Sequence, residues 1–354
     1  MLEAEKLLQM VVDRNASDLH IHVNRPPVLR IDGKLHPLDM KSLKPEDTQA
    51  FMEAISPQRY QEQIKEMGSA DFGYTFKDQG RFRVCIYRQM GAVAISMRLI
   101  PTKLLTLEEL GLPASVKDLL HRPRGLVLVT GPTGSGKTTT LATMIDIINS
   151  EQDCHIITVE DPIEYYHSHK MSIVTQREVG IDTPSFAEAL VRGLRQDPDV
   201  ILVGEMRDLA TIEAAITAAE TGHLVFATLH TNSASQTVDR AIDVFPPHQQ
   251  QQIRMMLSVS LAAVFCQKLL PKASGKGRVA AFEIMMVTPA IANMIREMKT
   301  HRLLSAIQTG TRYGMKTMDQ SLFELYQRGL ITYQEAMIQC HDKEEMQKLI
   351  QEKR

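Results

Sequence analysis

The chain has 354 residues, with 40 Lys and Arg against 42 Asp and Glu for a formal net charge of −2. That length accommodates two domains, one of them large enough for a full α/β core, and the near-neutral balance argues against nucleic acid as the main partner, which would call for a basic excess. The four cysteines, Cys85, Cys154, Cys266 and Cys340, are scattered without a C-x-x-C pair, which excludes a zinc knuckle and a disulfide framework.

Residues 2–14 carry apolar positions at helical spacing, and 18–23 (DLHIHV) and 28–38 (VLRIDGKLHPL) alternate apolar and polar residues. Asp32-Gly33 between such runs is a tight-hairpin signal. Helices are expected at about 45–54 and 57–66, followed by strands at 70–76, 81–89 and 92–100, with Lys77–Gly80 turning between the first two. The first hundred residues therefore predict a small α+β domain, a sheet with helices on one side. Residues 101–114 predict a linker with one short helical piece. From 115 to 354 strands and helices alternate: strand 126–130, helix 137–149, strands 155–160 and 171–176, helix 185–195, strand 199–203, helix 208–220 and strand 223–229. Alternation of this kind predicts a mostly parallel sheet with helices on both faces. Helix 248–264, a hairpin of 265–271 and 278–286, and helices 289–298, 301–308, 317–328 and 332–350 complete the reading, with 288–354 as a helical subregion.

Residues 125–138, GLVLVTGPTGSGKT, fit the phosphate-loop pattern G-x-x-x-x-G-K-[ST], between a buried apolar strand and a helix start. Gly131, Pro132, Thr133, Gly134, Ser135, Gly136, Lys137, Thr138 and Thr139 are the expected nucleotide contacts. Backbone amides and the helix dipole attract a triphosphate there, Lys137 reaches its outer phosphates, and the Thr138 hydroxyl ligates Mg2+. ATP and Mg2+ are the implied ligands, although no base-reading motif separates ATP from GTP.

Ligands of an open parallel sheet sit beyond the carboxyl ends of its strands. Those ends supply Glu160-Asp161, then Glu205 followed by Arg207, then His230. Glu160 is read as polarising the attacking water, because its strand directly follows the phosphate-loop helix. Glu205 is read as the Mg2+-side carboxylate, partly through water, and His230 as the γ-phosphate sensor; geometry leaves the reverse carboxylate assignment open. His223 starts its strand, so within one domain it points away from the nucleotide. The missing part is an arginine for the γ-phosphate. Arg207 is compromised by its neighbour Glu205. Arg81 and Arg83 share one face of a strand, with Arg98 on the next; the alternative is a solvated basic face.

Together these residues resemble the secretion-ATPase superfamily, over nearly the whole chain from about Ala16. GPTGSGKT (131–138) is similar to its Walker A, ITVEDPIEY (157–165) to its Asp box, ILVGEMRD (201–208) to its Walker B with Glu for Asp, and 217–234 to its His box. SDLHI (17–21), RIDG (30–33) and RFRV (81–84) are similar to its N-terminal domain. The resemblance implies a RecA-like P-loop ATPase domain behind a PAS-like N-terminal domain, assembled as a homohexamer. It also implies N-domain arginines (Arg81, Arg83, Arg98) that close the nucleotide site, and Arg207 and His223 as further nucleotide contacts. Within the superfamily the chain is most similar to the pilus-retraction ATPases. It is expected to lack the extra N-terminal domain and the tetracysteine motif of the assembly ATPases, and AIANMIRE (290–297) resembles the AIRNLIRE signature of the retraction ATPases, with Ala292 for Arg and Met294 for Leu. In that segment Ile291 and Ile295 share a predicted buried face.

The implied function is an ATP-driven motor for type IV pilus retraction and twitching motility. Its partner is an inner-membrane platform protein. No apolar run reaches the ~18 residues of a membrane span and no signal peptide opens the chain, so the expected place is the cytoplasm, held at the inner membrane by the pilus machine without insertion. The competing readings are a hexameric nucleic-acid translocase, disfavoured by the charge and by the lack of an aromatic–basic stacking strip, a pilus-assembly ATPase, and a non-catalytic regulator, against which intact Lys137, Glu160 and Glu205 argue.

Overall fold

The computed structural model describes residues 4–77, 80–100 and 104–352. It divides into two units, residues 1–103 with 162–166, and residues 104–161 with 167–354.

In the first unit the order is helix Ala4–Asp13, strands β1 (Asp18–Ile21), β2 (Val28–Ile31) and β3 (Lys34–Pro37), helices Pro45–Ile55 and Gln58–Met67, then β4 (Ser69–Phe76), β5 (Gly80–Gln89) and β6 (Ala92–Ile100). The strands pair antiparallel in the order β3-β2-β1-β6-β5-β4. Asp32 and Gly33 join β2 to β3 with φ of 49° and 80°, the left-handed pair a type I′ hairpin needs. The period-2 alternation of β5 buries Phe82, Val84 and Ile86 against Leu8, Phe51, Ile55 and Ile95. Arg81 and Arg83 therefore lie on the other face. The expected turn residues Asp78 and Gln79 lie outside the described residues, as do 101–103 at the start of the expected linker.

The second unit opens inside that linker. Helix Leu107–Leu110, capped by Thr106 and closed by left-handed Gly111, buries Leu110 with Leu112 in the core beneath the sheet. Helix Ser115–Leu120 adds Val116, Leu119 and Leu120 to the same core. Burial of these leucines, each stabilising by about 1.5–3 kcal/mol, makes 104–114 part of the folded unit instead of a free tether. The strands are β7 (Gly125–Thr130), β8 (His155–Glu160), β9 (Ile173–Glu178), β10 (Val200–Val203), β11 (Leu224–Leu229), β12 (Leu261–Pro271) and β13 (Arg278–Met286). Their order is β13-β12-β7-β11-β10-β8-β9. All neighbours are parallel except the β12–β13 hairpin, as expected of a RecA-like sheet. Helices Lys137–Glu151, Phe186–Gly193 and Leu209–Glu220 connect the strands.

Two expectations need correction, and one helix is additional to them. The helix read at 248–264 stops at Ser260, and Leu261 begins β12, because β12 is buried between β7 and β13 and ladder pairing decides a run that suits either period. The helix read at 332–350 is two, Tyr333–Gln339 and Lys343–Glu352. Helix Ala234–Asp243, capped by Ser233, was not anticipated.

A candidate nucleotide site

β7 is buried along its whole length, so its end is a fixed platform for the loop that follows. Gly131, Gly134 and Gly136 have φ of 140°, 79° and 91°, values that only glycine adopts cheaply. Gly136 caps helix Lys137–Glu151 with no side-chain bond, which leaves the first amides of the helix for a ligand. Lys137 Nζ donates to the carbonyls of Gly131 (2.8 Å) and Pro132 (3.2 Å), lying back along the loop it would leave for a phosphate. Burial pulls its pKa down and Glu205 opposes that shift. Ser135 Oγ is buried without a hydrogen-bond partner. An orphaned hydroxyl, a glycine cradle and a lysine that spends its bonds on carbonyls together fit a triphosphate, with Thr138 beside it for Mg2+. Among the described residues no cluster of three or more His, Cys, Asp or Glu side chains forms a metal site by itself.

The sheet order changes one premise. Chain order alone places Glu160 near the γ-phosphate, because its strand follows the phosphate-loop helix in sequence. In the sheet, however, β11 and β10 stand between β7 and β8, since the crossover carries the chain past two positions filled later. On that side of β7 the first strand ends at His230, and the next leads to Glu205. His230 Nε2 lies 3.0 Å from Glu205 Oε1, and Arg207 Nε donates to the same oxygen at 2.6 Å. Burial raises the pKa of Glu205, but Arg207, His230 and Lys137 outweigh it and hold the carboxyl below its ordinary value, so it is ionised at neutral pH. Glu160 is buried, accepts from Thr158 Oγ1 at 2.8 Å, and lies 3.3 Å from Gln176 Nε2. Gly204 fits the two carboxylate strands together: a Cβ there would lie 3.2 Å from the Val159 carbonyl oxygen and 3.3 Å from Glu160 Cα. His223 sits before β11, at the opposite end of that strand from His230, with Nδ1 2.9 Å from the Ala218 carbonyl.

The arginines belong to the first unit, and so do residues 162–166, which directly follow Glu160-Asp161. Arg81 is 6% exposed. Its Nε donates to the Ile163 carbonyl at 2.9 Å, its Nη1 to Thr75 Oγ1 at 3.2 Å, and its guanidinium lies 3.8 Å from the Tyr166 ring centroid. Gly73 makes room for it, as a Cβ there would run into the guanidinium. Arg83 pairs with Glu164 at 3.5 Å and Arg98 with Asp18 at 2.8 Å. In this conformation all three predicted arginines have protein partners within their own unit.

Two polar residues of the hairpin escaped the sequence reading. Glu283, 2% exposed, accepts from the Ala234 amide at 2.7 Å and so anchors the start of the helix that follows His230. Gln267, 1% exposed, accepts from Thr140 Oγ1 at 2.8 Å. The available signal was a lone polar residue inside each apolar strand, LAAVFCQKLLP and RVAAFEIMM.

A family described as "Type II/IV secretion system protein" matches residues 2–351. The chain is 48% identical over 335 residues to the Pseudomonas aeruginosa protein called "Type IV pilus retractation ATPase PilT", covering 95% of this chain and 97% of that protein. It is 46% identical over 320 residues to a "Twitching motility protein" of Neisseria gonorrhoeae, covering 90% and 86%. A crystal structure of the pilus retraction motor PilT with bound ADP superposes with a TM-score of 0.91 at 48% identity, covering 98% of this chain and 100% of the other.

Proposed function

The chain belongs to the Type II/IV secretion system protein family, and from that membership and the site we propose that it is an ATP-hydrolysing motor that drives type IV pilus retraction. The observation that carries the reading is the convergence of Lys137, Glu205 and His230 on a phosphate loop whose glycines already hold their left-handed conformations. The same fold is seen with ADP in a retraction motor of 48% identity.

In this reading the loop amides and Lys137 hold the β- and γ-phosphates, and His230, beside Glu205, reports the γ-phosphate. Thr138 and Glu205 would hold Mg2+, partly through water, and the ion would supply charge neutralisation at the phosphates. Glu160 orients the attacking water and accepts its proton. The chain works as a homohexamer on an inner-membrane platform protein, from the cytoplasmic side. Among the described residues no helix is long and apolar enough to cross a membrane.

An arginine of the first unit completes the site in the ring. Arg83 is the best placed by energetics: its side chain is 46% exposed and gives up only a surface pair with Glu164, worth about 0–1 kcal/mol. Arg98 would leave Asp18 with Ser17 and Arg30 for company. Arg81 would have to abandon a buried carbonyl and an aromatic ring, so its proposed part is to fix residues 162–166 behind the Glu160-Asp161 pair.

Deleting the gene in a twitching host tests the function. Hyperpiliated cells that do not twitch, restored by the wild-type chain, are expected; bald cells would identify an assembly motor instead.

The segment that resembles the retraction signature divides into two faces. Helix Pro289–Arg296 is capped by Thr288, with Ile291 1% and Ile295 0% exposed in the core. Ile291→Ala is therefore expected to cost about 2–5 kcal/mol of stability, read as a lower thermal midpoint. Met298, 63% exposed just beyond the helix, is proposed to face the partner. Met298→Asp is expected to leave the midpoint and ATPase rate unchanged and to reduce twitching.

A further inference from the structure

We propose that Gln267 is a positioning residue of the phosphate loop: on the neighbouring strand its carbonyl stands against the loop's start, and its side chain braces the loop's end and the first turn of the helix after it. The inference rests on the nucleotide-binding reading above. The β7–β12 register pairs Thr130 with Cys266, so Gln267 stands beside Gly131, where the loop begins. A Cβ on Gly131 would run into the Gln267 carbonyl oxygen. A Cβ on Gly136, where the loop ends, would lie 2.9 Å from Gln267 Nε2. Both glycines at the loop ends thus lie against the same residue, Gly131 against its backbone and Gly136 against its side chain.

The amide orientation follows from a third contact. Thr140 Oγ1, on a residue 0% exposed, donates to Gln267 Oε1 at 2.8 Å. With the oxygen committed to Thr140, the amide nitrogen is turned to Gly136. A buried amide within an apolar strand is costly unless it is hydrogen-bonded, and here the Thr140 hydroxyl, in the first turn of the helix after the loop, supplies a bond to its oxygen. The brace supplies preorganisation. The loop amides must converge on the phosphates, and any backbone freedom they keep is lost on binding. Gln267 removes part of that freedom beforehand. The next residue, Lys268, donates through Nζ to the Gln339 carbonyl at 3.1 Å, so the strand that braces the loop is also tied to the C-terminal helices.

The test uses the full chain with Gln267→Leu, Thr140→Val and the double variant. It reads the affinity for a fluorescent ADP, the KM and kcat for ATP, and the nucleotide-free melting temperature. Gln267→Leu leaves the buried Thr140 hydroxyl without an acceptor and is expected to melt lower. Replacing both partners by apolar groups is close to neutral for stability, so the double variant is expected to regain the wild-type melting temperature. Its ADP affinity is nevertheless expected to stay about 10-fold weaker, equivalent to about 1.4 kcal/mol, with KM raised and kcat within about twofold, the pattern of lost uniform binding. Recovery of wild-type ADP affinity by the double variant overturns the proposal and leaves Gln267 a packing residue. Failure of the wild-type chain to bind ADP refutes instead the nucleotide-binding reading on which the proposal rests.

Discussion

Lys137→Ala is expected to reduce kcat/KM for ATP by about 10³-fold, the scale for removing a charge that stabilises a transferring phosphoryl group, and to weaken ADP binding as well. The two losses arise from different parts of one side chain's work. In this conformation Nζ is held by the carbonyls of Gly131 and Pro132, so the ammonium already lies along the loop and needs only to exchange two carbonyls for phosphate oxygens. The amide cradle survives the substitution, since the glycine conformations are set by backbone and by neighbouring strands. Residual nucleotide binding is therefore expected, while turnover is not. Lys137→Arg is expected to rescue poorly, because a planar guanidinium cannot replace a compact ammonium folded against its own loop. Equilibrium binding of a fluorescent ADP and steady-state ATPase rates read both quantities. Hydrolysis within tenfold of wild type would contradict the role given to Lys137.

The phosphate loop was legible because its chemistry is local. Strand, glycines, lysine and helix are contiguous, and each glycine holds the left-handed conformation its position needs. The hairpin at Asp32-Gly33 was legible for the same reason. What failed depended on partners far away in sequence. Nothing near Glu160 says that β10 and β11 will be inserted between its strand and β7, so proximity along the chain was mistaken for proximity in the sheet. The run Val259–Val264 satisfies both a helix and a buried strand, and its pairing with β7 decides in favour of β12 from Leu261 onward. Arg81 and Arg83 share one face of β5, as the alternation implies, but the partners of the arginines were not legible. The segment 162–166 follows a strand of the second unit yet belongs to the first, and Arg81 holds it through a main-chain carbonyl, which no side-chain pattern records. Gln267 and Glu283 were passed over for a related reason. A single polar residue in an apolar strand is noticed only when its partner is known, and those partners lie on Thr140 and Ala234.

Glu160→Gln and Glu205→Gln are expected to abolish turnover in distinguishable ways. General-base catalysis contributes about 10²–10⁴-fold, so Glu160→Gln is expected to lower kcat by that factor. ADP affinity and the Mg2+ concentration for half-maximal rate should then stay near wild type. The amide retains the size of the carboxylate and can still accept from Thr158, so the buried position is not left empty. Glu205 is differently placed. Its Oε1 receives Arg207 at 2.6 Å and lies 3.0 Å from His230, and with Lys137 these groups keep it ionised. Neutralising it removes the anion beside which Arg207, Lys137 and His230 are gathered, and with it the charge that would balance a metal ion beside the phosphates. Glu205→Gln is therefore expected to raise the Mg2+ requirement as well as to lower kcat, and the excess positive charge is expected to keep or tighten ADP binding measured without metal. A titration of rate against Mg2+ separates the two variants. If Glu160→Gln shifts the Mg2+ dependence and Glu205→Gln does not, the carboxylates have exchanged roles.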